Sequence, residues 1–489
     1  MVVSLVLLAV VCTATGSGFA MEPTPTEPVK GVPEVVTNKY VPVTMRIIIK
    51  YVENEARRVE NQRSASIAAW NLANTVGAGI QHIRLMSGNA QVVEVFGVAG
   101  LEGARAQETV ESIARRIEAD PAVEYAEPDA IMKIQVNDPQ FSQQWHYTNP
   151  GTGINLVDGW SNSTGSGVVA AVIDTGYRPH ADLAGKFLPG YDFISDTTVA
   201  NDGGGRDSDA SDPGDWCPPS MPNSSWHGTH VAGTVAAVTN NALGVAGVAH
   251  SAKIVPVRVL GKCGGYLSDI VDGMRWAAGL SVPGVSANSN PAKVLNMSLG
   301  GSGSCGPSYQ SAINDIISAG ATIVVAAGNS NSDASGFRPA NCNGVITVAA
   351  TNKAGARSYY SNYGAVVEIA APGGETYPVN SNGVLSTLNS GATTPGADSY
   401  AFYQGTSMAA PHVAGVAALL YQLNPAITPA QVLARLQSTV QPFPNATNPQ
   451  YQCSTAKCGA GIVDAGKAAD FQGPPPASAA QPWLKLLLK

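Results

Sequence analysis

Four polar residues stand where apolar or small-residue segments begin or end, and their types suit hydrolytic chemistry. Asp174 ends the apolar segment AAVI, and Asn329 follows an apolar segment that closes with Gly328. His227 begins the segment HGTHVAG, and Ser407 lies in GTSMAAPHVAG. A carboxylate, an imidazole, a hydroxyl and an amide supply what acyl transfer requires: an orienting charge, a base, a nucleophile and a donor for an oxyanion.

Each of these residues also has an ordinary structural explanation. The aspartate and the asparagine are common turn residues, and Ser407 suits the first turn of the buried helix predicted after it. Its pattern differs from the G-x-S-x-G of an α/β-hydrolase, because Ala409 replaces the second glycine. The spacing of His227 and His230 differs from the i, i+4 spacing of helical zinc ligands, so we interpret His230 as a structural histidine.

The four residues together are far more specific than any one of them. Their motifs and their order along the chain resemble those of the subtilisin-like serine proteases, over about residues 138–470. The resemblance implies that Ser407 is the nucleophile, that His227 is the general base and then the general acid, and that Asp174 orients the imidazole. It further implies an oxyanion hole formed by the Asn329 side-chain amide and the Ser407 backbone N–H.

The elements that must position these residues follow an α/β pattern. Short β-branched and apolar segments predict strands, with helical stretches between them. The predicted strands are Val168–Ile173, Lys253–Val259, Val294–Ser298 and Thr322–Ala326, and the predicted helices are about 229–238, 267–279 and 308–319. Continuous apolar strands indicate a mainly parallel sheet with helices on both faces, and active sites in such folds gather at the carboxyl ends of the strands. The resemblance implies the same subtilisin-like α/β fold.

Composition excludes two broad classes of protein. The chain of 489 residues has 28 Lys and Arg against 35 Asp and Glu, a formal charge of −7, which argues against a nucleic-acid-binding protein. Beyond the N-terminus no apolar segment reaches the roughly 20 residues of a membrane-spanning helix, which excludes a polytopic membrane protein. Since 44% of the residues are hydrophobic, the chain can bury a core, and its length predicts about two to four domains.

The N-terminus has the pattern of an export segment. An apolar run from Val2 to Val11 precedes small residues up to Ala20, which predicts a signal peptide over 1–20, although no Lys or Arg precedes the run. A buried N-terminal strand is the alternative. We therefore expect a secreted protein.

A small α+β module is predicted at about 45–130. Strands are expected at Arg46–Tyr51, at Val92–Phe96 and, as the last strand, at about 123–127, and an amphipathic helix is expected over 108–119. The resemblance implies that this module is the core of a propeptide, which acts as an intramolecular chaperone and a transient inhibitor of the same chain. A permanent N-terminal domain is the alternative.

The expected organisation has four parts. They are a signal peptide at 1–20, a propeptide at 21–136, a catalytic domain at 137–470 and a C-terminal tail at 471–489. Maturation is expected near 131–136, where the propeptide would be cut.

The resemblance also implies the residues that bind substrate. Family members hold a peptide as a strand between two enzyme segments, and glycines let the two backbones approach. The matching residues are Gly264 and Gly265 on one side and Ser298, Leu299 and Gly300 on the other, with Ala327 and Gly328 in the wall of the specificity pocket and Phe337 near its floor.

A structural calcium ion is the cofactor that the resemblance implies. One segment resembles the calcium loop of thermitase, a member of the family, and an oxygen-rich ligand set suits Ca²⁺. The implied ligands are the side chains of Asp138, Asp182 and Asn241 and the carbonyl groups of Val238, Leu243 and Val245. An acidic loop that subtilisin lacks is a candidate for a second site, with a solvated loop as the alternative. Its candidate ligands are Asp202, Asp207, Asp209 and Asp212.

The cysteines suit an oxidising compartment. Cys12 lies in the predicted signal peptide, and the other six of the seven can pair in many ways. The absence of a C-x-x-C pair disfavours a zinc ribbon. On the fold implied by the resemblance we expect sequential pairing, because Cys453 and Cys458 close a short loop at little entropic cost and each other pair joins insertions beside the same part of the site. The predicted bridges are Cys217–Cys263, Cys305–Cys342 and Cys453–Cys458.

The sequence therefore predicts a secreted, calcium-stabilised serine endopeptidase. We expect it to cleave proteins and peptides through an acyl-enzyme, to be made as a self-processing precursor, and to act as a monomer without nucleic acid or a membrane span. A catalytically silent binding module on the same fold is one alternative, against which the intact motifs argue. An esterase or amidase with the same triad is another, which the propeptide and the glycine-rich substrate segments disfavour.

Overall fold

The computed structural model contains two compact units, Met1–Ile131 and Met132–Lys489. The residues that it describes are 45–52, 61–96, 104–130 and 136–470. The predicted signal peptide, most of the expected maturation segment and the C-terminal tail lie outside these residues. Among the described helices, none combines the length and the apolar character needed to cross a bilayer.

The first unit is a small α+β module. Its elements are β1 (Arg46–Tyr51), α1 (Gln62–Val76), β2 (Gly79–Met86), β3 (Ala90–Phe96), α2 (Ala104–Glu118) and β4 (Val123–Pro128). The strands form one antiparallel sheet in the order β2-β3-β1-β4, and Ile47, Ile49 and Ile113 are buried in the shared core. The three predicted strands correspond to β1, β3 and β4, and the predicted helix corresponds to α2. The sequence reasoning missed β2 and α1, although Asn61 begins α1 with a capping box.

The second unit contains the remaining elements. In chain order, the first of these are α3 (Trp145–Thr148), α4 (Leu156–Trp160), β5 (Val169–Asp174), β6 (Tyr191–Asp192), α5 (Thr197–Ala200), α6 (His227–Ala236), β7 (Lys253–Arg258), α7 (Leu267–Ala277), β8 (Val294–Met297), β9 (Gly301–Ser302) and α8 (Pro307–Ser318). They continue as β10 (Thr322–Ala326), β11 (Phe337–Arg338), β12 (Ile346–Thr351), β13 (Ile369–Pro372), β14 (Val384–Asn389), β15 (Asp398–Tyr403), α9 (Thr406–Leu423), α10 (Pro429–Ser438), α11 (Thr455–Cys458) and α12 (Ala465–Ala469).

A seven-stranded parallel sheet organises this unit. Its order is β13-β12-β10-β8-β5-β7-β6, and every neighbouring pair is parallel. The four predicted strands correspond to β5, β7, β8 and β10, and the three predicted helices correspond to α6, α7 and α8. The prediction of a mainly parallel α/β fold is confirmed.

Helices cover both faces of the sheet. Helices α6 and α9 pack on one face with Ala170 and Val348, whereas α7 and α8 pack on the other with Ala171 and Val325. Successive side chains of a strand point to opposite faces, so Ala170 and Ala171 enter different cores. Strands that are buried on both faces require near-continuous apolar residues, and this is the pattern that the sequence carries.

Strands β14 and β15 form a hairpin that the sequence reasoning missed. They pair antiparallel, with Leu385 opposite Phe402. The hydroxyls of Ser386 and Thr387 donate to backbone carbonyl groups of α6, over 2.7 and 2.8 Å. The hairpin therefore holds α6 from the side away from β5.

Candidate active site

Asp174 and His227 form a hydrogen-bonded pair at the carboxyl end of strand β5. Asp174 ends β5 and is fully buried, and its Oδ1 lies 2.7 Å from Nδ1 of His227. The backbone N–H of Thr175 donates to the same oxygen over 2.8 Å. His227 begins α6, and a Cβ on the following Gly228 would clash with the carbonyl oxygen of Gly176. A glycine at position 228 therefore lets the helix start come close to the end of β5.

This pairing determines which nitrogen of His227 can act as a base. A carboxylate oxygen only accepts, so Nδ1 carries the proton and Nε2 is left to accept one. Burial lowers the pKa of His227, but the charge and the hydrogen bond of Asp174 outweigh this effect and raise that pKa above its ordinary value. The carboxylates of Asp215 and Asp212 act in the same direction. The imidazole is therefore a stronger base than a histidine in water.

Ser407 is the second residue of α9 and is tied to the end of β8. Pro411 lies inside α9 and has no N–H, so the carbonyl oxygen of Ser407 lacks its usual helical donor. The hydroxyl of Ser298, directly after β8, supplies a donor to this oxygen over 2.7 Å. In return the Ser407 hydroxyl donates to the carbonyl oxygen of Ser298 over 3.1 Å, rather than to His227. The two serines thus fasten the start of α9 to the sheet.

Asn329 and the backbone of Ser407 face one small space. Oδ1 of Asn329 accepts from the backbone N–H and from the hydroxyl of Thr406, each over 2.9 Å. This leaves Nδ2 as the end of the amide that can serve a substrate. A Cβ placed on Gly405 would lie 3.5 Å from Asn329 Nδ2 and 3.6 Å from Ser407 N. Two N–H donors therefore converge beside Gly405, as an oxyanion requires.

The sheet order explains why these residues meet. Strands β5, β8 and β10 are parallel neighbours, so their carboxyl ends lie at one edge of the sheet. Asp174 ends β5, Ser298 follows β8, and Asn329 lies just after β10. Helices α6 and α9 pack in the same core and bring His227 and Ser407 to this edge. The structure thus gathers the predicted residues where an α/β sheet places its active site.

The segments predicted to bind substrate follow β7 and β8. Gly264 has φ of +113°, and a Cβ on Gly265 or Gly300 would meet a backbone carbonyl oxygen. Leu299 is buried, while Ser298 makes the contacts with α9 given above. The glycines are therefore required by local geometry, whatever their role toward a substrate.

The predicted pocket wall continues from β10. Ala327 is fully buried, donates its N–H to Val348 over 3.0 Å, and accepts from Nδ2 of Asn362 over 2.9 Å. A Cβ on Gly328 would lie 3.8 Å from the ring of Phe337. The structure therefore places Phe337 beside this wall.

His230 has the structural environment that its sequence position suggested. It is fully buried, its Nε2 lies 3.0 Å from the carbonyl oxygen of Ala401, and its ring stacks on Tyr403 with centroids 4.6 Å apart. Burial lowers the pKa of His230 to about 3, so the ring is neutral at ordinary pH.

The six described cysteines form three bridges with the predicted pairing. The pairs are Cys217–Cys263, Cys305–Cys342 and Cys453–Cys458, with Cα separations of 5.0, 5.1 and 5.5 Å. The first bridge ties the loop before α6 to the segment that carries Gly264. The ammonium of Lys262 lies 4.5 Å from the ring centroid of Trp216 in the same region. Two loops that border the site are therefore cross-linked.

We expect non-reducing peptide mapping to recover these three linked pairs. Each bridge typically stabilises by about 2–4 kcal/mol, largely by constraining the unfolded chain. Because two bridges hold loops beside the site, mild reduction should broaden substrate selectivity and speed autolysis before tryptophan fluorescence reports loss of the core. A peptide joining Cys217 to Cys305 or Cys342, or free thiols at these positions, would contradict the pairing.

The side chains of the first predicted calcium site lie together. Asp138 and Asp182 are buried, and Asp138 accepts from the backbone N–H groups of Asn240 and Asn241 over 3.0 and 3.1 Å. Asp182 accepts from Nδ2 of Asn241 and from the N–H of Val245, each over 2.8 Å. Burial raises the pKa of both carboxyl groups, and neither forms an ion pair with Lys or Arg in the described part of the chain.

The rest of this loop joins the same network. The N–H of Val238 donates to the carbonyl oxygen of Asp182, and the N–H of Leu243 donates to Oδ1 of Asn241, over 2.8 and 2.9 Å. Burial and the nearby Asp182 carboxylate raise the pKa of the Tyr400 hydroxyl, which places this tyrosine beside the same loop. Nothing in the sequence signalled this tyrosine, because it reaches the loop from β15.

The residues of the second predicted calcium site are not brought together. Asp202 pairs with the buried Arg258 over 2.7 Å, and Asp207 and Asp209 each accept an N–H within local turns. Asp212 accepts from a threonine hydroxyl over 2.7 Å. Within the residues that the structure describes, no group of three or more His, Cys, Asp or Glu side chains could hold a metal ion. The described residues therefore do not support a second site in this loop.

The structure adds contacts at the site that sequence reasoning missed. Thr406 orients Asn329, and Ser298, which was predicted only to bind substrate, holds the start of α9 through its hydroxyl. The Asp215 carboxylate accepts from the N–H and the hydroxyl of Ser225, each over 2.6 Å. Its charge helps to raise the pKa of His227. One sequence signal existed: the proline inside the predicted helix meant that a carbonyl oxygen near its start needed an outside donor.

Comparisons with known proteins agree with this arrangement. A sequence profile of the Subtilase family matches residues 165–461, more than half of the chain. An extracellular protease of Xanthomonas campestris pv. campestris is 54% identical over 365 residues, which is 73% of this chain and 60% of that protein. An extracellular basic protease of Dichelobacter nodosus is 48% identical over 372 residues, 72% of this chain and 59% of that protein.

The chain thus spans about three fifths of the length of these two relatives. A solved structure of a protease from Pseudoalteromonas arctica superposes with a TM-score of 0.66 at 58% identity, covering 69% of this chain and 99% of that one. With the sequence profile and the parallel sheet in agreement, the chain belongs to the subtilase family of serine proteases.

Proposed function

We propose that this protein is a secreted serine endopeptidase that cleaves peptide bonds through an acyl-enzyme. One observation carries the proposal: the buried Asp174 and its partner His227 lie at the carboxyl ends of the parallel strands, together with Ser407 and the two N–H groups that lie side by side next to Gly405. An orienting carboxylate, a base, a hydroxyl and an oxyanion site together suffice for acyl transfer, whereas any one of them has an ordinary structural explanation.

The geometry supports a specific sequence of steps. The Ser407 hydroxyl turns from Ser298 to Nε2 of His227, gives up its proton there, and its oxygen attacks the scissile carbonyl carbon. Asp174 stabilises the imidazolium that forms, because its Oδ1 accepts a hydrogen bond from Nδ1–H of His227 over 2.7 Å. The oxyanion is bound by Asn329 Nδ2 and Ser407 N.

Attack by Ser407 gives a tetrahedral intermediate, and the collapse of this intermediate breaks the C–N bond of the peptide. His227 donates its proton to the leaving amine, so an ester on Ser407 and a free amine result. Water then attacks the ester, again with His227 as base and then as acid, and the carboxylic acid product leaves. The substrate backbone would be held beside Gly264 and Gly265 and beside Ser298–Gly300 by strand pairing.

Casein hydrolysis tests the proposal directly. The purified mature protein should cleave casein at internal bonds, and a serine-directed phosphonylating reagent should abolish the activity with one equivalent bound at Ser407. A silent binding module would neither cleave casein nor react stoichiometrically. An esterase would react with the reagent and hydrolyse small esters while leaving casein intact, and that outcome would overturn the endopeptidase assignment.

The precursor organisation is part of the proposal. Residues 1–20 would direct export, and both relatives compared above are called extracellular. Residues 21–136, which include the strands β1 to β4 and the helices α1 and α2, would serve as a chaperone and transient inhibitor, and residues 137–470 would act as a monomeric catalytic domain. Self-cleavage is expected near 131–136, and N-terminal sequencing of the mature form together with its mass in light scattering tests both statements.

Calcium is the proposed structural cofactor. Burial raises the pKa of Asp138 and Asp182, and neither carboxyl group pairs with Lys or Arg in the described part of the chain, so both fit a bound cation. Asn241 and the carbonyl groups of Val238, Leu243 and Val245 would supply the neutral oxygens. A bound ion would supply two positive charges beside these carboxylates.

Chelation should therefore act on stability before chemistry. A ligand present at about 100 times its Kd stabilises the native state by about 2.7 kcal/mol, so EDTA should lower the Tm and excess Ca²⁺ should restore it. Asp138→Asn should lower the Tm and weaken the response to Ca²⁺, whereas Asp207→Asn in the acidic loop serves as a matched control and should leave that response intact. A melting curve that is indifferent to EDTA would remove the cofactor from the proposal.

A further inference from the structure

Three aromatic or aliphatic side chains are exposed close to the residues that lead into α9. Tyr377 is 80% exposed, and the neighbouring Val379 and the nearby Tyr359 are 48% and 43% exposed. We call these three residues the Tyr377 surface. Exposed aromatic and aliphatic side chains that stand together on a soluble protein mark a contact site more often than a solvated one.

Hydrogen bonds fix this surface to the start of α9. Oε1 of Gln404 accepts from the N–H and the hydroxyl of Thr376, over 2.7 and 2.9 Å, and its Nε2 donates to the Tyr359 hydroxyl over 2.8 Å. The N–H of Gly405 donates to the carbonyl oxygen of Gly373 over 3.1 Å. One glutamine therefore orients both halves of the surface, three residues before Ser407.

The surface lies on the far side of Ser407 from the predicted substrate segments. Those segments follow β7 and β8, whereas the loop that carries Tyr377 joins β13 to β14, and β13 is the opposite edge of the sheet. Strand β10, with Asn329 after it, lies between them. On this strand order, a peptide whose first half pairs beside β7 and β8 would continue past Ser407 toward the side of the sheet that carries the Tyr377 surface.

We propose that the Tyr377 surface binds the leaving-group half of the substrate, the residues C-terminal to the cleaved bond, and favours apolar or aromatic side chains there. The proposal rests on the proposed endopeptidase function. Its chemistry follows from the surface itself: two phenol rings and a valine offer apolar area and ring faces, and the nearby Glu375 carboxylate is already engaged by the N–H of Tyr359 over 2.9 Å.

Acyl transfer to an added amine tests this surface specifically. A peptide ester forms the acyl-enzyme on Ser407, and the ester bond is then broken either by water, giving an acid, or by an amine, giving an amide, with the proton returned to the Ser407 oxygen through His227. Phenylalanine amide should outcompete glycine amide as acceptor. Tyr377→Ala should reduce that preference about five- to tenfold, the effect of losing one aromatic contact.

Two comparisons separate this role from a structural one. Hydrolysis of a peptide methyl ester, whose small leaving group carries no ring and no side chain, should be unchanged in Tyr377→Ala. Tyr266 is an exposed aromatic residue beside Gly265, and Tyr266→Ala should instead change methyl ester hydrolysis and keep the acceptor preference. An unchanged acceptor preference in Tyr377→Ala, or a loss of ester hydrolysis as large as the loss of acceptor preference, would overturn the proposal. Failure of the unaltered protein to hydrolyse casein would instead refute the proposed function.

Discussion

Ser407→Ala is expected to accumulate as an unprocessed precursor and to hydrolyse no casein. The reason is that one hydroxyl would serve both the self-cleavage and the cleavage of other proteins. In subtilisin, loss of the corresponding serine costs roughly 10⁶-fold in kcat, and we expect a loss of the same order in this member of the family. Gel electrophoresis of the secreted product and a casein assay over long incubation measure the two effects.

The control must show that the variant folds. Added mature protein of the unaltered sequence should cut the Ser407→Ala precursor to the normal size, and the trimmed product should melt near the Tm of the mature protein. Removing one hydroxyl leaves the Ser298 hydroxyl still bonded to the residue 407 carbonyl oxygen, so the start of α9 should hold. Normal processing of a pure Ser407→Ala preparation would refute the intramolecular route.

Asn329→Ala should fold, mature slowly and lose roughly 10²–10³-fold in kcat, a range known for the equivalent oxyanion donor of subtilisin. The physical reason is that Nδ2 of Asn329 is one of the two N–H groups that converge beside Gly405. The donor acts on the oxyanion that forms in the transition state, so KM should change little while kcat falls.

A second variant separates the donor from its support. Thr406→Val removes the hydroxyl that donates to Oδ1 of Asn329 while the backbone N–H still holds the same atom. We expect a smaller loss of kcat, with KM again little changed. If Asn329→Ala kept its full kcat on a peptide substrate, Asn329 would have no part in the mechanism. A loss of kcat that came with a large fall in Tm would indicate a purely structural role.

Local patterns in the sequence determined much of the framework. A continuous apolar segment is favourable as a strand only when both faces of that strand are buried. The strands β5, β7, β8 and β10 and the parallel sheet were therefore predictable. The glycine before α9 and the small residues within it placed Ser407 at a helix start. Cysteines close in sequence, or on insertions around one site, limited the pairing, and the described bridges follow it.

Other features depended on partners that lie far away along the chain. The Ser298 hydroxyl and the Thr406 hydroxyl act on neighbours more than 70 residues distant, and no local pattern specifies which distant group satisfies a buried polar atom. The acidic loop illustrates the same limit: its composition suggested a metal site, but Arg258 and the local turns take up its carboxylates one by one.

The sequence by itself therefore determined which residue types end the strands and begin the helices, because burial on both faces and helix-start chemistry are local constraints. The tertiary structure alone decided how those groups face one another. Oriented donors such as Nδ2 of Asn329 acquire their direction from a third group, here Thr406, and the Tyr377 surface acquires its place from Gln404. The orientation of side chains in the site depends on long-range hydrogen bonds. These bonds form only once the sheet has brought distant segments of the chain together at the carboxyl ends of its strands.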